Sequence, residues 1–140
     1  MNILFFLTPK SEVEYIYDDF TLRQAIEKME HHHYTAIPLL TRSGRYVGTI
    51  TEGDLLRVIK DKFSLSLHDA ESFPIKQAPR RWKYDPVNIN CNIEDLLLTA
   101  MRQNFVPVVD DDNKFIGIIT RKDILDFCFR KLKETEGVSQ

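Results

Sequence analysis

Net charge, cysteine and long apolar runs are all scarce in this chain. Against 19 Lys and Arg stand 21 Asp and Glu, a formal charge of −2. No global field therefore draws nucleic acid or an anionic membrane. Cys91 and Cys128 are the two cysteines, and they show no CxxC or other metal spacing. Free thiols and a cytoplasmic location are the expectation. The apolar run Ile3-Leu4-Phe5-Phe6-Leu7 is far shorter than the roughly 20 residues that cross a bilayer. It also lacks the basic flank and small-residue cleavage site of a signal peptide. Catalytic constellations are missing too: no nucleophile elbow with His and acid partners, and no paired acids in a recognisable motif. No enzyme and no membrane protein is expected.

What is present is a repeat. Gly48-Thr49-Ile50-Thr51-Glu52-Gly53-Asp54 returns as Gly117-Ile118-Ile119-Thr120-Arg121-Lys122-Asp123, offset by 69 residues at the Gly, the Thr and the Asp. Each copy follows an apolar strand built around a proline, Ala36 to Leu40 and Phe105 to Val109, and Pro38 and Pro107 keep the same offset. An internal repeat decides the architecture. With 140 residues, 43% of them hydrophobic, the chain can bury one core or two small units sharing one.

The first unit reads strand, helix, strand, strand, helix. Val13 to Tyr17 is a short β-rich run. Thr21 caps a helix whose Leu22, Ala25, Ile26 and Met29 form one apolar stripe. The proline strand follows, then a turn at Thr41 to Gly44 in which Gly44 takes positive φ. A strand from Tyr46 to Ile50 leads to a helix carrying Leu55, Leu56 and Ile59. The second unit repeats this order: Val87 to Asn90, a helix capped by Asn92 with Ile93, Leu96, Leu97 and Ala100, the strand Val106 to Val109, a turn at Asp110 to Asn113, the strand Phe115 to Ile119, and a last helix. Cap and proline are 17 residues apart in the first unit and 15 in the second, which predicts a tighter helix-to-strand loop in the second. The expected division is 1–63 for the first repeat with the N-terminal segment, 64–85 for a polar, irregular connector, 86–133 for the second repeat and 134–140 for a frayed tail.

Gly-x-x-Thr-x-x-Asp has two readings. A Thr followed three residues later by an acid is close to a capping box, which satisfies the orphan N–H groups of a helix start. The same strand-to-helix turn also offers free N–H groups and the positive end of a helix dipole to a phosphate. There the Thr hydroxyl can donate to a phosphate oxygen, and the Asp carboxylate can accept from both ribose hydroxyls. Arg121 and Lys122 lie in the first helical turn, where cations oppose the dipole at about 0.3–1 kcal/mol each. An anion would explain them. Glu52 in the first copy would repel one. The second site is therefore expected to suit a charged nucleotide better.

Together, the proline strands and the doubled Gly-h-h-Thr-x-x-Asp resemble a tandem cystathionine-β-synthase (CBS) domain protein, a Bateman module. The resemblance runs from about Leu7 to Leu132. It implies an α+β fold of two β-α-β-β-α repeats related by pseudo-two-fold symmetry and packed through their sheets. It also implies a stand-alone sensor rather than an enzyme, with no cofactor. The implied regulatory ligand is an adenosine-containing molecule (AMP, ADP, ATP or cyclic di-AMP, among others) held in the cleft between repeats. By similarity, Thr51 and Asp54, and Thr120 and Asp123, hold ribose and phosphate. Tyr34, Thr35 and Ala36 line one adenine pocket, and Asn104 and Phe105 line the other. Lys10 and Val13, and with them Lys83 and Tyr84, reach the ligand from the segments that lead into each first strand. A homodimer and a separate effector protein are the implied partners.

The remaining features read as structure. Three consecutive histidines, His31 to His33, point about 100° apart in a helix and cannot face one metal. Asp110-Asp111-Asp112-Asn113 lacks the glycine and distant Glu of a calcium loop. The basic and aromatic stretch Arg80 to Tyr84 is small for a nucleic-acid surface on an acidic chain. The last helix carries Ile124, Leu125, Phe127, Cys128, Phe129 and Leu132 on more than one face, which predicts burial in an interface and supports a dimer. Two other classes stay open: a structural dimerisation module with empty clefts, and a nucleic-acid-binding regulator.

Overall fold

The computed structural model describes residues 2–32, 34–63 and 71–138. They fall into two compact units, Glu14–Tyr84 and Met1–Val13 joined with Asp85–Gln140. Each has the expected α+β composition, and the two are built alike.

In the unit of residues 14–84, β2 (Ile16–Tyr17) leads to α1 (Leu22–His32), β3 (Ala36–Leu40), β4 (Tyr46–Thr51) and α2 (Glu52–Val58). The sheet order is β2-β3-β4. Thr21 Oγ1 accepts from Gln24 N at 3.2 Å and Gln24 Oε1 from Thr21 N at 2.8 Å, so a reciprocal cap starts α1. Leu22, Ala25 and Met29 are buried, with Ile26 packed against the same core. Ile75, Ala78 and Tyr84, which the sequence reading assigns to the connector, are buried here. That is why the unit extends to Tyr84.

In the other unit, β5 (Val87–Asn88), α3 (Ile93–Ala100), β6 (Phe105–Val109), β7 (Phe115–Thr120) and α4 (Arg121–Val138) repeat the order. A fourth strand, β1 (Thr8–Pro9), adds antiparallel to β7, with Thr8 opposite Ile118 and Pro9 opposite Gly117. The N-terminal segment thus sits with the second repeat, not with the first that it precedes in sequence. Backbone contact is close there: a Cβ on Gly117 would collide with the Thr8 carbonyl oxygen. Ile3 and Phe6 also bury in this unit's core, and Phe6 meets Phe127 edge-on at 4.9 Å between centroids.

Register follows the repeat. Pro38 pairs with Thr49 and Pro107 with Ile118, and both central strands shift register one step beyond Gly48 and Gly117. Pairing with β2 starts at Leu39 and with β5 at Val108, so neither prolyl nitrogen faces a ladder on that side. Both hairpin turns end on a positive-φ residue, Gly44 (91°) and Asn113 (61°). Asn92 caps α3 by accepting from Asp95 N at 2.8 Å.

Two further details differ from expectation. The two-residue deficit falls in the helix, not the loop: α1 has 11 residues and α3 has 8, while the segment between Ala100 and Phe105 is no shorter than that between His32 and Ala36. Also, α4 runs on to Val138, through most of the predicted tail. No described helix is long and apolar enough to cross a membrane.

Candidate functional site

The two copies of the motif take the same backbone form. Thr51 ends β4 with extended backbone (φ −106°, ψ 160°) and caps α2. Thr120 ends β7 and stands immediately before α4. Each Thr hydroxyl oxygen accepts from the N–H of its Asp three residues on, at 3.1 Å in both. The capping half of the sequence reading therefore applies to both copies.

The carboxylates differ. Asp54 is fully buried. Its Oδ2 accepts from Thr51 N at 3.0 Å, which completes a capping box. Its Oδ1 accepts from Arg57 Nη2 at 2.5 Å and from the Arg81 backbone N–H at 3.0 Å. Both oxygens are thus taken by the chain itself. Asp123 is half-buried, and no described residue donates to its carboxylate. It lines a cleft of about 160 Å3 with Phe5 to Thr8, Asp126, Phe127 and Arg130.

Arg121 has a structural occupation. Its Nε donates to the Ala100 carbonyl at 2.8 Å and its Nη2 to the Met101 carbonyl at 3.3 Å. A cation at the C-terminal carbonyls of α3 is favourable on dipole grounds. This accounts for Arg121 without an anion and leaves Lys122, exposed in the first turn of α4, as the cation that the dipole argument still has to explain.

The residues expected around a base are distributed as follows. Tyr34 and Thr35 are exposed and Ala36 half-buried. The Thr35 carbonyl accepts from Glu52 N at 2.9 Å, which ties this stretch to the start of α2. Asn104 is exposed and Phe105 buried. Lys10 and Val13 belong to the unit of Thr120 and Asp123, while Lys83 and Tyr84 belong to the unit of Thr51 and Asp54. This exchange relative to sequence order follows from the β1–β7 pairing and from the bond between Arg81 and Asp54.

Three groups hold these surroundings: Gln103 and Arg57, which sequence reasoning did not single out, and Arg81, which it read only as part of the basic stretch Arg80 to Tyr84. Gln103 is buried, and its Oε1 accepts from Asp85 N at 3.0 Å. Its Nε2 donates to the carbonyls of Asp85 at 2.9 Å and Phe105 at 3.0 Å. Arg57 and the Arg81 backbone close Asp54. Comparison at the repeat offset would have flagged Arg57, because its counterpart 69 residues on is Asp126. Nothing local in the sequence announces Gln103 or the bond from Arg81 to Asp54.

Elsewhere, His32 stacks on Tyr34 at 5.6 Å and lies 3.7 Å from Glu14, while His33 falls outside the described residues. Lys28, donating at 3.1 Å, holds the Glu14 carboxyl below its ordinary value. Asp110 Oδ1 accepts from the N–H groups of Asp112 and Lys114, both at 2.9 Å, so it is spent on its hairpin turn. Burial, with Asp95 nearby, pushes the Cys91 thiol up, whereas Cys128 is exposed.

The sequence model of the CBS domain matches residues 7–61 and 80–130. Inosine-5'-monophosphate dehydrogenase of Methanocaldococcus jannaschii is 31% identical over 114 residues, covering 76% of this chain and 20% of that one. The chloroplastic CBS domain-containing protein CBSX2 of Arabidopsis thaliana is 25% identical over 159 residues, covering 94% of this chain and 65% of that one. The chain thus spans less than two thirds of these curated relatives. Among solved structures, CbpB in complex with c-di-AMP superposes with a TM-score of 0.89 at 24% identity, over 98% of this chain and 90% of that one.

Proposed function

Since the chain belongs to the CBS domain family, we propose that it is a regulatory sensor that takes an adenine nucleotide (AMP, ADP, ATP or cyclic di-AMP) and signals to a separate protein. The single observation that carries this reading is the Asp123 carboxylate, which has no donor among the described residues and lines a cleft, one residue beyond the exposed Lys122. A structure that needed Asp123 only as a cap would satisfy it as Asp54 is satisfied. In the proposed complex, Asp123 accepts from the ribose hydroxyls, and Thr120 and Lys122 face phosphate oxygens. Asn104 and Phe105 flank the base, and Lys10 and Val13 close the same site. Two proteins of this fold have been solved with such ligands, CbpB with c-di-AMP and CBSX2 with AMP.

The signal is carried by a change in conformational population, which requires the nucleotide to prefer one state. A second copy of the chain and an effector are the proposed partners. Leu125, Phe129 and Leu132 recur along α4 and are 67%, 61% and 65% exposed in the single chain, which suits an interface. The reading in which the motifs are caps and the chain only dimerises is favoured by one observation, the saturated capping box at Thr51 and Asp54.

A thermal-shift panel of AMP, ADP, ATP, cyclic di-AMP, NAD and S-adenosylmethionine separates the two. A ligand at 100 times its dissociation constant stabilises by about 2.7 kcal/mol. A shift with adenine nucleotides that disappears in Asp123→Asn is expected. A flat panel supports the dimerisation module instead.

A further inference from the structure

We propose that one of the two motifs is closed by the chain itself, so that a single nucleotide binds per chain, at Asp123, while Arg57 and the Arg81 backbone already occupy Asp54. This rests on the nucleotide reading above and goes beyond it by assigning the occupancy of each motif.

The closure comes from two sequence differences between the repeats. Three residues after Asp54 stands Arg57, whose Nη2 donates to Oδ1 at 2.5 Å. Three residues after Asp123 stands Asp126, an acceptor that can donate nothing to a carboxylate at neutral pH. The second difference lies in the segment that crosses each motif glycine. Arg80 lies over Gly48, where an added Cβ would come within 2.8 Å of its Nε, and the next residue, Arg81, donates its N–H to Asp54 at 3.0 Å. Thr8 and Pro9 lie over Gly117. The residue after Thr8 is thus a proline, which has no N–H to give. Both donors that seal Asp54 are therefore absent by residue type beside Asp123.

A ribose that sought Asp54 would have to displace a guanidinium and a backbone amide from a fully buried carboxylate. At Asp123 it displaces neither. A chain segment crosses each motif glycine, but Arg81 donates to Asp54, whereas Pro9 has no N–H to give to Asp123, which lines a cleft.

Isothermal titration of the full chain with AMP tests this. One AMP per chain is expected, with affinity falling at least tenfold in Asp123→Asn and no residual second event. The paired variant Arg57→Ala with Arg81→Pro removes both donors; if its circular dichroism is unchanged, about two AMP per chain are expected. In the wild-type chain the Arg81 amide is expected to keep its hydrogen-exchange protection at saturating AMP. Two equivalent events in the wild-type chain overturn the closure while leaving the nucleotide reading intact. So does binding that survives Asp123→Asn, or a folded paired variant that still takes one AMP. Absence of any heat with AMP, ADP, ATP and cyclic di-AMP alike overturns the nucleotide reading and this inference with it.

Discussion

Replacing Asp54 with alanine removes the acceptor of three donors at once. The backbone N–H groups of Thr51 and Arg81 lose their bonds of 3.0 Å, and the Arg57 guanidinium loses its own of 2.5 Å. A hydrogen bond to a charged group contributes about 1.5–3 kcal/mol, and a buried donor left unmet adds its desolvation cost. Loss of the capping box alone costs about 1 kcal/mol. Arg57 can turn to solvent, since it is 39% exposed, so its share is discounted. The sum for Asp54→Ala is about 3–4 kcal/mol. Asp123→Ala removes an acid from the first turn of α4 that no described residue donates to, and the helix dipole sets its cost at about 0.5 kcal/mol. Urea unfolding followed by circular dichroism, with wild type and both variants side by side, reads the difference through the midpoint at constant slope. Equal losses in the two variants would refute the claim that one carboxylate is sealed and the other open.

Gly117→Ala brings a Cβ against the backbone of Thr8 and Pro9 and is expected to cost about 2 kcal/mol. Gly48→Ala meets the flexible end of Arg80 and is expected to cost well under half as much; melting temperatures of the pair check this. The Glu14 carboxyl is held below 4.5 by Lys28. Its folded value is depressed, so its contribution is present above 4.5 and is lost as pH falls through that lowered value. Glu14→Gln is expected to flatten this part of the acid limb, measured as urea midpoint against pH. Cys128 is exposed, while burial raises the Cys91 thiol. With the chain diluted to its monomer, Ellman's reagent at neutral pH is expected to give one fast thiol, which Cys128→Ser removes.

Local chemistry was legible in the sequence. Helix caps act over three residues, so Thr21, Asn92, Thr51 and Thr120 could be read directly, and the 69-residue offset carried strand register from one unit to the other. What escaped was long-range. Arg81 reaches Asp54 across 27 residues, Gln103 reaches Asp85 across 18, and Arg121 reaches Ala100 across 21. Position alone put Arg121 in the first turn of α4. It could not show that the guanidinium turns back to the end of α3. The N-terminal segment was misassigned for the same reason, because a two-residue strand such as β1 carries too little pattern to name its partner. At the candidate site, the residue types were visible in the sequence. From the sequence, Glu52-Gly53 against Arg121-Lys122 predicts that the second motif suits a phosphate better. The difference between the Asp54 and Asp123 carboxylates is a separate one, and it rests on Arg57 and on Arg81 against Pro9.

The account turns on which carboxylate meets a nucleotide. Amide chemical-shift perturbation of the full chain on titration with AMP reports this residue by residue. Saturable shifts at Thr120, Lys122 and Asp123, with Thr51, Asp54 and Arg81 unmoved, are the predicted result. Shifts centred on Thr51 and Asp54, or none at saturating AMP, would contradict it.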